Sequence, residues 1–168
     1  MLGVAGDGGS WSGNVHKMGG DSRDYSLDVS EYLFRLTTES VRLLSNETRC
    51  YENLTSLVEK LAGPGAADAL GQHDIETLRQ HLSKIPTQGP IRIHFEIAKA
   101  SSDNLDEAKQ RLCEKLDADL TVADAISTLL FNYVVEKSAS KLLAQMGIDP
   151  VDGARNPAGA NEKVVPLR

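Results

Sequence analysis

The most constraining feature of this chain is a run of seven residues, 91–97, in which apolar and polar side chains alternate without exception. Because successive side chains of a strand point to opposite faces, this alternation predicts a half-buried β-strand. Its apolar face comprises Ile91, Ile93, Phe95 and Ile97, and its polar face comprises Arg92, His94 and Glu96. Such a strand needs a partner, since each orphaned backbone group in a buried place costs about 1–3 kcal/mol.

The rest of the chain offers poor partners for this strand. Residues 163–168 are interrupted by Pro166, and the first residues are rich in glycine. We therefore expect the strand to pair antiparallel with its own copy across a two-fold axis, in a homodimer. The expected dimer interface consists of Ile91, Ile93, Phe95, Ile97, Leu130 and Val134.

The remaining patterns predict a mainly α-helical chain in four parts. Residues 1–26 hold seven of the fourteen glycines and are expected to form a flexible tail, as are residues 149–168. Apolar residues at helical intervals predict a helical segment over 27–86. Residues 90–148 are expected to form a strand-helix-helix unit that serves dimerisation.

Within these parts the helix boundaries are read from capping and breaking residues. Residues 27–61 fit either one long helix or two helices broken near Asn46, before a stop at residues 63–65, Gly-Pro-Gly. A helix is predicted over 74–85, and another begins near Leu105 after a loop. Thr121 and Asp124 form a capping box that opens the last helix, which ends near Gly147. This helix is apolar on more than one face, which places it in the core, in a dimer interface, or in both.

Composition narrows the range of functions. The net charge is −6 and the pI about 5.2, so the chain lacks the overall positive field of a non-specific nucleic-acid binder. No apolar stretch approaches the ~20 residues that span a membrane, and nothing resembles a secretory signal, so we expect a cytoplasmic protein.

No residues of catalytic or metal-binding type fall at suitable spacings. Cys50 and Cys113 are too far apart in sequence for a zinc site. The cluster of His73, Asp74, Glu76 and His81 is interpreted as a solvated helix face. We therefore expect no enzyme activity, no cofactor and no metal.

The order of elements over about residues 90–135 resembles the ribbon-helix-helix family of dimeric DNA-binding proteins, which includes the Arc and methionine repressors. The resemblance rests on the alternating strand, the helical segment at 105–116 and the capped helix that follows residue 120. It implies that paired strands enter the major groove and that the amino end of the second helix holds a phosphate. The DNA-contacting residues implied are Arg92, His94, Glu96, Thr121 and Val122.

Two interpretations of function follow from these patterns. The first is a non-enzymatic dimeric DNA-binding regulator, or an accessory factor of a nucleoprotein complex, with the amino-terminal helices contacting a protein partner. The second is an acidic helical adaptor or chaperone that binds another protein. Residues 88–150 contain seven Lys and Arg against ten Asp and Glu, a balance that opposes contact with phosphates.

Overall fold

The computed structural model describes residues 20–147, which form a two-stranded antiparallel ribbon packed on six helices. The expected tail at 149–168 and the first 19 residues lie outside the described part. The elements, in chain order, are β1 (Ser22–Val29), α1 (Glu31–Thr48), α2 (Leu54–Leu61), α3 (Ala66–Gly71), α4 (Ile75–Lys84), β2 (Ile91–Ala98), α5 (Lys99–Leu116) and α6 (Val122–Gln145).

The strand predicted at 91–97 is confirmed as β2, but its partner lies in the same chain. β1 pairs with β2 along its whole length, from Ser22 opposite Ala98 to Val29 opposite Ile91. The prediction that β2 lacks an internal partner, and so needs a second copy, is therefore wrong. The backbone requirement of β2 is met because residues 22–26, assigned to the flexible tail, belong to a strand.

The two strands bury one common face. Tyr25 and Val29 of β1 and Phe95 and Ile97 of β2 are buried there. The rings of Tyr25 and Phe95, which are opposite in the register, stack with their centroids 5.0 Å apart. This face packs on helices because a two-stranded ribbon alone buries too little apolar surface to be stable in water.

Helix α6 lies at the centre of the core, which is one of the positions predicted for a helix that is apolar on more than one face. Its first half is buried on almost every side, so its apolar residues need no amphipathic stripe. The buried residues of this half are Ala123, Ala125, Ile126, Ser127, Thr128, Leu129, Leu130 and Tyr133.

The alternatives for residues 27–61 resolve into two helices. The predicted break near Asn46 falls after Thr48, because Arg49 adopts the left-handed conformation that ends α1. Asn53 then begins α2 with a side-chain cap on the backbone amide of Ser56. The segment over 27–86 is therefore helical from Glu31 onward but begins within β1.

The loop expected between the strand and the next helix is itself helical. β2 leads directly into α5 at Lys99, so the stretch 101–104 forms the second turn of a five-turn helix and does not precede it. Ser102 is buried and shares a hydrogen bond of 2.7 Å with the Tyr25 hydroxyl. Its polar side chain is therefore used in packing against β1 and does not cap α5.

Burial also corrects part of the predicted dimer interface. Phe95, Ile97 and Leu130 are buried within one chain, with 6%, 1% and 0% of their surface exposed. These three side chains serve the protomer core and are not accessible to another copy. Ile91, Ile93 and Val134 are half-buried, and their role between copies stays a prediction.

The core position of α5 gives a stability test. Leu105 is fully buried against the helices of the core, so Leu105→Ala is expected to lower the free energy of unfolding by about 2–5 kcal/mol. Leu142→Ala, which removes the same atoms from an exposed position, should change it by less than about 0.5 kcal/mol. Urea unfolding followed by circular dichroism measures both; equal losses would contradict this packing.

Candidate interaction surface

The outer face of the ribbon carries the sequence-predicted DNA-contacting residues of β2 together with polar residues of β1. All lie on the solvent side, because they alternate with the buried face. In register, Asp24 lies opposite Glu96, Ser26 opposite His94 and Asp28 opposite Arg92. The structure therefore brings Arg92, His94 and Glu96 together on one exposed surface, as predicted, and adds three side chains that were not predicted.

Arg92 is engaged by a carboxylate of the neighbouring strand. Its Nε and Nη2 atoms donate to the two carboxylate oxygens of Asp28 at 2.8 and 3.0 Å. This two-point hydrogen bond lowers the pKa of Asp28 and raises that of Arg92, so both groups stay charged. At this end of the outer face the cation is matched by an anion.

The opposite end of the outer face is acidic. Asp24 and Glu96 are cross-strand neighbours of like charge. The Ser22 hydroxyl donates a hydrogen bond to Glu96, and Glu59 of α2 accepts one from the backbone amide of Ala98 at 3.1 Å. Three carboxylates thus lie near this end of the ribbon.

Two clefts lie between the ribbon and the amino ends of α2 and α6. One has a volume of about 570 Å³ and is bordered by Thr121, Val122 and the Asp28 end of β1. The other, of about 420 Å³, is bordered by Asn53 and by Glu59 and Glu96. Thr121 and Val122 therefore border a cleft beside the ribbon, and their contact with DNA stays a prediction.

The amino end of α6 is capped by its own side chains. Thr121 accepts a hydrogen bond from the amide of Asp124 at 3.2 Å, and Asp124 accepts one from the amide of Thr121 at 2.8 Å. The predicted capping box is confirmed. The Asp124 carboxylate occupies the amide of Thr121, and its negative charge at this end of α6 would repel an incoming phosphate.

The polar residues missed by sequence reasoning lie on β1 and α2. Residues 24–29 alternate Asp, Tyr, Ser, Leu, Asp and Val, which is a strand signal of six residues. This strand signal is ambiguous in the sequence, because Val29 also fits the helical spacing that continues into α1. Asn53 could have been found as a helix cap from its position before an apolar helical stretch.

Outside the ribbon, the residues considered for metal or acid-base chemistry have structural roles. Asp74 caps α4 by accepting from the amide of Thr77 at 2.8 Å. His81 was expected on a solvated face, but it is buried, stacks on Phe131 and lies 2.9 Å from the hydroxyl of Ser127. Ser127 is completely buried, so a substrate cannot reach this Ser–His pair. Over residues 20–147, no group of three or more His, Cys, Asp or Glu side chains is placed to hold a metal.

A second polar cluster ties α1 to α6. Glu47 accepts hydrogen bonds from Tyr133 at 3.0 Å and forms an ion pair with Lys137 at 2.9 Å. Burial, reinforced by the bond to Glu47, raises the pKa of Tyr133 to about 12. The Tyr133 hydroxyl is therefore held protonated near neutral pH, and its hydrogen bond to Glu47 joins α6 to α1.

Comparisons with known proteins do not identify the chain. No protein-family model, curated protein or solved structure matches it. None of the helices in the described part is long and apolar enough to cross a membrane.

The buried histidine predicts a pH dependence of stability. Burial lowers the pKa of His81 below 6.5, so the folded state disfavours the charged imidazole. The unfolded chain then binds a proton more readily, and stability is complete above about pH 6.5 and decreases as the pH falls below it. His81→Gln, which cannot titrate, should lose less unfolding free energy than the wild type between about pH 7.5 and 5.5, as urea unfolding measures. Equal losses would contradict this role of His81.

Proposed function

We propose that the protein is a non-enzymatic binding protein that recognises a basic segment of another protein through the outer face of its ribbon. The observation that supports this proposal is the composition of that face. It exposes the carboxylates of Asp24, Asp28 and Glu96, and the guanidinium of Arg92 is paired with Asp28. A surface of this charge attracts cationic side chains and repels anionic ones.

Duplex DNA is the second candidate partner, and geometry favours it. An exposed two-stranded ribbon lies between the amino ends of two capped helices, which is the arrangement that the ribbon-helix-helix resemblance implies. Affinity for DNA, however, comes largely from contacts between cations and phosphates. Asp24 and Glu96 would face the phosphates or bases, and Arg92 would have to leave Asp28 to read a guanine.

The charge of the ribbon therefore supports a protein partner more than it supports DNA. A carboxylate in the major groove can accept only from the amino groups of cytosine and adenine and is repelled by the phosphates, whereas it can pair with any Lys or Arg of a peptide. The amino-terminal helices, suggested by the sequence for partner contact, contribute Asn53 and Glu59 to the acidic end of this surface. A dimer made through β2 forms no part of this proposal, because β1 already supplies the partner strand for which that dimer was expected.

The test is a binding titration with two labelled probes, a (Lys-Ser)₆ peptide and a random 20-base-pair duplex, at about 50 and 200 mM salt. The wild type should bind the peptide more tightly than the duplex, with affinity falling as salt increases. Asp24→Asn/Glu96→Gln should weaken peptide binding by roughly 5–10-fold, since two exposed charge contacts are lost. Fluorescence anisotropy reports both interactions.

The matched control removes two charges elsewhere. Glu76→Gln/Glu136→Gln changes the net charge equally on the exposed surfaces of α4 and α6, and should weaken peptide binding by less than about twofold. Equal losses for the two double variants would refute a role for the ribbon face. Tighter binding to the duplex than to the peptide would replace the protein partner with DNA.

A further inference from the structure

We propose that residues 22–62 and 90–130 are two copies of one strand-helix-helix unit, and that each copy is the two-fold partner of the other. Each unit has a strand of 8 residues followed closely by a helix of 18 residues. The helix begins at position 31 in the first unit and at position 99 in the second, an offset of 68 residues. The same offset relates the features that follow.

The first long helix of each unit ends in the same uncommon way. Arg49 and Asp117, separated by this offset, are the C-caps of α1 and α5 and have φ angles of 57° and 49°. They are the two non-glycine residues with positive φ in the described chain. A left-handed residue that is not glycine is uncommon, so its occurrence at equivalent positions is a specific correspondence.

The turn into the second helix also repeats. Asn53 and Thr121 are N-caps at equivalent positions, and each forms a capping box with the residue three places later. Just before the caps, Ser45 Oγ accepts from the amide of Glu52 at 3.0 Å. The equivalent Cys113 Sγ accepts from the amide of Leu120 at 3.4 Å, so the side-chain contact is kept although the atom differs.

Burial follows the same offset along part of each helix. At five equivalent pairs of positions both side chains are buried, although their identities mostly differ. These pairs are Thr37 and Leu105, Ser40 and Ala108, Leu44 and Leu112, Leu57 and Ala125, and Val58 and Ile126. Two sequences with little identity thus share these core positions, as expected of one backbone unit used twice. They differ where Phe34 and Lys60 are exposed but the equivalent Ser102 and Thr128 are buried.

The ribbon places the two units about a local two-fold axis. Ser26 and His94 are equivalent under the offset, and they also lie directly opposite each other in the register. A rotation of 180° about an axis through this pair exchanges the two antiparallel strands. The second strand that each unit needs is therefore supplied by the other unit of the same chain, and residues 63–89, with α3 and α4, connect them.

The units differ where the ribbon faces solvent. Asp24 of the first unit corresponds to Arg92 of the second, and Ser26 corresponds to His94. One end of the outer face therefore pairs Asp24 with Glu96, whereas the symmetric end pairs Asp28 with Arg92. The backbone of this face is two-fold symmetric, but its charge is not, so a charged partner binds it in one orientation.

A transplant between units tests their equivalence in the full-length chain. Replacing residues 49–53 with the sequence of 117–121, Asp-Ala-Asp-Leu-Thr, together with Ser56→Asp, moves the second unit's turn and cap into the first. If the units are equivalent, the midpoint of thermal unfolding should change by less than about 2 °C. The same five residues placed one position later, at 50–54, put leucine at the capping position and should lower the midpoint by at least about 5 °C. Equal losses for the two transplants would refute the equivalence.

A cysteine pair at the two-fold axis tests which strands pair. In a background with Cys50→Ser and Cys113→Ala, oxidised Ser26→Cys/His94→Cys should form a disulfide within one chain, because opposite strand residues lie within bonding reach. His94→Cys alone should form no more cross-linked dimer than Ser83→Cys, which is exposed on α4. Efficient cross-linking of His94→Cys between chains would show that β2 pairs with its own copy and would overturn the proposal. Non-reducing electrophoresis and a free-thiol assay distinguish these results.

Discussion

The pairing of β1 with β2 is the interaction on which the other contacts of this chain depend. A strand with one buried face cannot satisfy its backbone amides and carbonyls with water on both edges, so it needs a second strand. β1 meets this need across more than sixty residues of intervening chain, and the register runs through all eight residue pairs. The resulting ribbon places Tyr25 and Phe95 over the core and directs α1 and α5, which follow the strands, onto α6.

The sequence predicts the local features of this fold better than its long-range pairing. The alternation over 91–97, the capping box at Thr121 and the helix that follows Asp74 are set by neighbouring residues, and all three are confirmed. The partner of β2 was not predicted because Val29 fits both a strand and a helical spacing. Nothing in a single sequence shows which segment lies beside another, and the glycines before β1 suggested a tail. The start of α5 was predicted too late in the chain for a related reason. Serine is a common helix-capping residue, but Ser102 lies within α5 and forms a hydrogen bond with Tyr25 of a distant strand.

Shape and charge indicate different partners for the outer face. The ribbon is exposed between the amino ends of two capped helices, and Arg92, His94 and Glu96 lie on its solvent side. The carboxylates of β1 reach this face only through the pairing of β1 with β2, and they make the face more acidic. The predictable part of the candidate surface was thus the exposed side chains of β2 and the capped start of α6. The charge of this surface depends also on Asp24 and Asp28 of β1, which lie there only because β1 pairs with β2.

Joining both strands of the ribbon in one polypeptide alters how the surface responds to the amount of protein. A ribbon assembled from two separate chains comes apart on dilution, since association and folding are then linked by mass action. Here β1 and β2 are joined through residues 30–90, and closure is an intramolecular event whose equilibrium does not depend on total protein concentration. The complete outer face, with Asp24 opposite Glu96, is therefore present on every folded molecule, even where a cell holds only a few copies of the chain.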